Sequence, residues 1–348
     1  MNLPGNPDLK NLSFDELEKL AGSLGIESYR AQQISLWIFQ KNVACIDLMT
    51  NLSKETRSRL SESAFISFLE PEKIEFSRDG SKKFLFKTAD GYGIESVLIP
   101  EKNHHTLCIS TQIGCPLQCR FCFTGRHGLV RSLSAAEILN QVSAVIKEEN
   151  FDGRLPNIVF MGMGEPLANY ENAIKSIKTL LSPWAFNFSH RKITLSTAGL
   201  INRMQQLGHD VPINLAISLN APNDTIRNFL MPINKQFPIH DLINAAKKFP
   251  LASRKRITFE YILIKGINDS PDNARELARL LKNINCKINL IPFNEHPAIK
   301  FKSPDEHRIA AFQTILHSLH FTAPIRRSKG SDIAAACGQL GGRIKQED

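Results

Sequence analysis

The chain has 348 residues, 42 % hydrophobic and 22 % charged, with a formal net charge of +9 and an isoelectric point near 9.2. That is the composition of an ordinary folded enzyme, long enough for two or three structural units, and no run of about 18 apolar residues offers a membrane span. The first twenty residues include acidic side chains and no apolar run of secretory length, so a cytoplasmic protein is expected, in which clustered thiols mean metal or redox chemistry rather than disulfide staples.

Residues 1–75 read as a small helical module. "SFDELEKLAGSLG" begins with Ser13 and has Glu16 three places on, a capping box. "SYRAQQISLWIFQK" and "LSKETRSRLSE" carry apolar residues at helical spacing. A β-hairpin connector follows over 76–104: "KKFLFKT", the turn "ADG", then "YGIESVLIP".

Residues 105–328 alternate strand and helix. The predicted strands are "TLCIST", "NIVFMG", "KITLST", "INLAISLN", "RITFEYILI" and "KINLIPFN", with a last strand "TAPIRRS". Amphipathic helices such as "SAAEILNQVSAVIKEE" and "NARELARLLKNI" lie between them. This rhythm means parallel βαβ units, too few for an eight-fold barrel, so the expected fold is α/β, a partial six-stranded (β/α) barrel. Residues 329–348 form a glycine-containing C-terminal segment expected to be mobile.

In "GCPLQCRFCFTG" three thiols, Cys115, Cys119 and Cys122, fall within eight positions, in the loop after the first barrel strand. Strand carboxyl ends are where α/β folds build their sites. Three readings compete: a zinc site using His127 as fourth ligand, three buried cysteines with no role, which a polar loop rich in turn residues disfavours, and a 4Fe–4S cluster held by three thiolates, with one iron open. After the second strand, "FMGMGEPLANY" has Gly162 and Gly164, which allow close backbone approach to a ligand, and Glu165, a carboxylate suited to an ammonium.

The C-x3-C-x2-C spacing with a GxGE turn one unit later resembles the radical S-adenosylmethionine superfamily. "GCPLQCRFCFTG", "MGMGEPLANY", "KITLSTAG", "AISLNAPND", "MPIN", "KINLIPFNEHP" and "DIAAACGQL" follow the order of the RlmN/Cfr family, and "YRAQQISLWIF" and "MTNLSK" resemble its helical extension. The resemblance covers nearly the whole chain. It implies methylation of adenine in RNA, with a 4Fe–4S cluster on Cys115, Cys119 and Cys122 and two molecules of S-adenosylmethionine per turnover. It further implies that Cys337 carries the methyl group, that Cys108 is the resolving thiol through a transient disulfide, and that Glu95 is the general base. Gly164, Glu165, Ser196, Ser218, Leu219, Asn220 and Asn294 correspond to cofactor-binding positions. Cys45 and Cys286 are read as small core residues.

Phe123 stands where the family usually has a small residue, Asn220 where it has histidine, and Ala334 where it has an acidic residue. The implied product is 2-methyladenine at the peptidyl-transferase centre of 23S rRNA and just 3′ of the anticodon in certain tRNAs. The dispersed basic residues then serve folded RNA, and a flavodoxin- or ferredoxin-like donor supplies electrons to a monomeric enzyme. Three other readings remain at this point: methylation at carbon 8, a radical enzyme on a small molecule, and a zinc-stabilised RNA-binding module.

Overall fold

The computed structural model describes residues 5–149, 151, 153–252 and 255–342. The end of the C-terminal segment, 343–348, lies outside them.

Three helices open the chain: α1 (Phe14–Ser23), α2 (Tyr29–Phe39) and α3 (Lys54–Ser63). Ser13 accepts from the Glu16 amide at 3.2 Å while the Glu16 carboxylate accepts from the Ser13 amide at 2.6 Å, which completes the predicted capping box. On α2, Ala31, Ile34 and Ile38 form one buried stripe.

β1 (Pro71–Phe76), β2 (Lys82–Lys87) and β3 (Gly93–Pro100) form an antiparallel meander that continues into β4 (His105–Cys108). The sequence reading placed only a hairpin here and put the first strand in the helical module. β1 is an edge strand with no fully buried residue, so the apolar alternation that marks a strand is missing from it.

Next come β5 (Gln112–Gly114), α4 (Phe123–Arg126), β6 (Leu129–Ser132), α5 (Ala135–Glu148), β7 (Asn157–Phe160) and α6 (Tyr170–Leu181). The chain continues through β8 (Ile193–Thr197), α7 (Ile201–Asp210), β9 (Asn214–Ser218), α8 (Asp224–Leu230) and α9 (Ile239–Lys248). It ends with β10 (Ile257–Leu263), α10 (Pro271–Leu281), β11 (Cys286–Pro292) and α11 (Glu306–Ser318). The main sheet has the order β1-β2-β3-β4-β7-β8-β9-β10-β11, and every pairing from β4 onward is parallel. Those six parallel strands are the six predicted ones, and with their helices they make the partial (β/α) barrel.

The predicted last strand, "TAPIRRS", reduces to one isolated bridge between Leu290 and Ile325. Pro324 accepts from the Leu290 amide at 3.0 Å but has no N–H to return, so no ladder grows along β11.

The helical module packs on the barrel rather than standing free. One apolar cluster runs from Leu9, Ile34 and Phe39 to Ile138, Ile177 and Phe186, with the Phe39 and Phe186 rings 5.2 Å apart. Lys10, 1 % exposed, donates to Asn140 Oδ1 of α5 at 2.7 Å across the same junction.

Candidate active site

The cysteine loop is shaped by the small β5–β6 hairpin, which the sequence reading missed. Cys115 donates its amide to Gly128 O at 2.7 Å, and Gly114 has φ +75°, where an added Cβ would stand 1.9 Å from that same carbonyl oxygen. Only glycine fits there. The loop brings Cys115, Cys119 and Cys122 to one wall of a cavity of about 160 Å³ at the carboxyl ends of the barrel strands. Burial pushes the Cys115 thiol up to about 12 and raises Cys119 and Cys122 as well. Ionising them needs strong local positive charge, which iron provides.

His127, the fourth ligand of the zinc reading, is exposed and meets the Phe123 ring edge-on at 4.7 Å instead of lining the cavity. Among the described residues no three Cys, His, Asp or Glu side chains stand as a ready site for a single metal ion, which sets the thiols apart from a preformed zinc centre. Three thiols on a cavity wall with no histidine or fourth cysteine of the same loop among its lining residues suit a cluster that leaves one iron for a small molecule.

The opposite wall comes from the next strand ends. Gly164 has φ +101°, and a Cβ there would lie 2.6 Å from Gln112 Cβ. Glu165, 3 % exposed, accepts from the Leu167 amide at 3.0 Å and from the Ala198 amide at 2.8 Å; burial raises its carboxyl to about 7. Ser196 of β8 and Ser218 of β9 line the cavity.

Asn220 also lines it, with φ +56°, a conformation asparagine tolerates better than most side chains, but its amide is spent internally. Asn220 Oδ1 accepts from the Ile262 amide at 2.9 Å and its Nδ2 points to Met231 Sδ at 3.5 Å. Leu219 is fully buried and packs in the core. Asn294 ties down the C-terminal segment, donating to Ser328 Oγ at 2.9 Å and Cys337 O at 3.1 Å.

A second cavity, about 310 Å³, adjoins the first. Cys108 of β4 lines it, and Cys337 and Arg326 line both cavities. Both thiols are free. Burial first, then the neighbouring Cys337, pushes Cys108 up to about 12, with Arg326 opposing, while Cys337 itself is exposed.

The segment carrying Cys337 is strapped to the cluster loop. Gly338 O accepts from the Phe123 amide at 2.7 Å and Leu340 O from Thr124 Oγ1 at 2.5 Å. Phe123 also stacks on His296 at 4.2 Å, and a Cβ on Gly341 would stand 2.5 Å from its ring. Glu95 is buried on β3, with Oε2 accepting from the amides of Gly341 (2.9 Å) and Gly342 (3.2 Å) and Oε1 3.4 Å from Lys83 Nζ. In this conformation it holds the C-terminal segment and lines neither cavity. Ala334, three residues before Cys337, has φ +51°, a left-handed turn that costs alanine about 1 kcal/mol.

Three polar residues here were not singled out from the sequence: Arg227, Glu260 and Arg326. A lone carboxylate inside the apolar run "RITFEYILI" was a signal for Glu260, and the basic run "IRRSKG" for Arg326. Nothing in the local pattern of Arg227 distinguished it from a surface arginine.

Residues 109–281 match the family model described as the radical SAM superfamily, and residues 7–66 match that of the ribosomal RNA large subunit methyltransferase N-terminal domain. The chain is 50 % identical over 337 residues to a dual-specificity RNA methyltransferase RlmN of Geobacter sulfurreducens, covering 97 % of this chain and 92 % of that one. A protein of the same name from Syntrophus aciditrophicus is 49 % identical over 340 residues, 98 % of each chain. Among solved structures, a radical SAM methyltransferase from Sphaerobacter thermophilus superposes with a TM-score of 0.90 at 42 % identity, covering 95 % of this chain and 98 % of that one.

Proposed function

This chain belongs to the RlmN family of radical S-adenosylmethionine RNA methyltransferases, and from that premise we propose that it methylates carbon 2 of adenine. The proposed targets are an adenine of the 23S rRNA peptidyl-transferase centre and the adenine just 3′ of the anticodon in tRNA. The observation that carries this reading is the position of Cys337, on the wall shared by two cavities. One cavity holds the three cluster thiols and Glu165; the other holds Cys108 and opens beside Arg326, Arg327 and Lys329. A residue that collects a carbon on one side and delivers it on the other needs that place.

Cys115, Cys119 and Cys122 would hold the cluster; Gly164, Glu165, Ser196 and Ser218, which line the cavity, would position S-adenosylmethionine, two molecules per turnover, and Leu219, Asn220 and Asn294 would act by holding the surrounding segments in place. When bound, this pair supplies a methyl group and a hydrogen-abstracting carbon radical. Carbon 2 of adenine is electron-poor and a weak nucleophile, so a polar methyl transfer to it is slow and radical addition is the workable route. Cys337 Sγ carries the methyl carbon, and its addition to the base leaves RNA joined to the protein. Glu95 takes the ring proton, which requires it to release the Gly341 and Gly342 amides. Cys108, as thiolate, then attacks Cys337 Sγ and the carbon–sulfur bond breaks. The released carbon takes up a proton to become the methyl group, the odd electron left by radical addition would return to the cluster, and a Cys108–Cys337 disulfide remains for an external reductant.

The proposed division of labour gives residues 1–75 to RNA binding, 76–104 to the connector, 105–328 to the barrel and 329–348 to the methyl-carrying segment. The enzyme is read as a cytoplasmic monomer reduced by a flavodoxin- or ferredoxin-like donor.

The test is Cys108→Ala with RNA substrate. It should form the carbon–carbon bond and stall, so that RNA accumulates covalently on Cys337 in a band stable to denaturant and reductant. Normal turnover without trapped RNA returns Cys108 to a packed strand residue. Nucleoside mass spectrometry of wild-type product should show 2-methyladenosine, and finding only 8-methyladenosine overturns the assigned carbon.

A further inference from the structure

Glu260 has no part in the account so far. It stands on β10, 6 % exposed, lining the barrel cavity. Its Oε1 accepts from Asn289 Nδ2 at 3.0 Å, while Oε2 is buried and has no hydrogen-bond partner among the described residues. An unpaired buried carboxylate oxygen is costly, and an apolar side chain would serve the strand better, so the orphan oxygen points to a ligand. Parallel register places Ser218 of β9 on one side of Glu260 and Asn289 of β11 on the other. No ion pair joins Glu260 to Arg326 among the described residues.

We propose that Glu260 accepts hydrogen bonds from the ribose hydroxyls of S-adenosylmethionine, an inference that rests on the cofactor reading of this cavity. Position supports it. Glu165 lies within electrostatic reach of Cys115 and Cys119, Glu260 within reach of Cys337. A cofactor whose amino-acid end sits at Glu165 and the cluster thiols presents its nucleoside end at Glu260, beside the thiol it must serve. Chemistry agrees. Two vicinal hydroxyls are two donors, an ionised carboxylate is acceptor-only, and an acidic side chain plays this part for the ribose of dinucleotides. Asn220 cannot substitute, because its oxygen is already bonded to the Ile262 amide.

The experiment uses the cluster-loaded enzyme under anaerobic conditions and measures equilibrium binding of S-adenosylhomocysteine and its 2′-deoxy and 3′-deoxy analogues. Loss of a hydroxyl should weaken binding to the wild type by about tenfold. Glu260→Gln keeps an oxygen for Asn289 but puts a donor where the free acceptor stood. It should bind S-adenosylhomocysteine about tenfold more weakly and no longer distinguish it from the deoxy analogues, with iron content and the cluster's electron paramagnetic resonance signal unchanged. Wild-type enzyme indifferent to both hydroxyls, or Glu260→Gln with undiminished discrimination, overturns the assignment. Wild-type enzyme that binds no S-adenosylhomocysteine overturns the cofactor reading together with it.

Discussion

Arg227 is fully buried, and its guanidinium ties the ends of two strands to α8. Nε donates to Leu219 O at 3.2 Å, Nη1 to Asn234 Oδ1 at 2.9 Å, and Nη2 to Ala198 O at 2.6 Å and Ser218 O at 3.4 Å. Ala198 is also the residue whose amide donates to Glu165, so the same peptide segment is held from both sides. Arg227→Lys keeps the charge but loses the planar fork, because an ammonium is a single point that cannot reach acceptors spread around it. At least two carbonyls are then buried without a donor, each costing about 1–3 kcal/mol, or about 4 kcal/mol together. For a chain of this length that lowers Tm by roughly 5 °C. Anaerobic differential scanning calorimetry of the cluster-loaded protein measures it, with S-adenosylhomocysteine binding as the second readout. Affinity should fall too, since the segment whose Ala198 amide steadies Glu165 is then held from one side alone. A variant that melts within about 3 °C of wild type refutes the argument that the fork organises these strand ends.

Cys119→Ala should lose the cluster iron and all cleavage of S-adenosylmethionine; wild-type rates of 5′-deoxyadenosine formation would sink the ligand assignment. Gly164→Ala adds a Cβ 2.6 Å from Gln112 Cβ at a backbone φ of +101° and should abolish cofactor binding while the protein still folds, checked by circular dichroism beside a binding assay. Lys10 makes a pH prediction: burial lowers its ammonium to about 8, with Asp8 opposing, against 10.5 in the unfolded chain. Between those values the unfolded chain binds the extra proton, so Lys10 contributes a stability that rises with pH over that window. Lys10→Met should remove that slope from a Tm-against-pH series, and an unchanged slope counts against it.

The barrel was legible because its strands are buried on both faces and its helices on one. "NIVFMG" is a short apolar run and "KITLST" alternates apolar with β-branched or polar residues, and α5 begins at a Ser134–Glu137 capping box, so short-range pattern and tertiary place coincide. The cysteine loop was legible for a different reason: three thiols within eight positions is a local chemical pattern that does not depend on what packs around it. β1 was not, because an edge strand with no fully buried residue carries no clear apolar alternation.

What only the tertiary structure decided is the company each polar residue keeps. Cys108 and Cys337 are 229 positions apart, and their common cavity depends on how 329–342 is strapped across the strand ends. Glu95 looked like a strand carboxylate free to act, yet the fold gives its oxygens to Gly341 and Gly342. Arg227 and Glu260 have the same side chains as any exposed arginine or glutamate, and differ only in the water they have lost. Sequence records donors, acceptors and spacing along the chain; whether a charge is buried, and which group meets it, is set by contacts between distant segments.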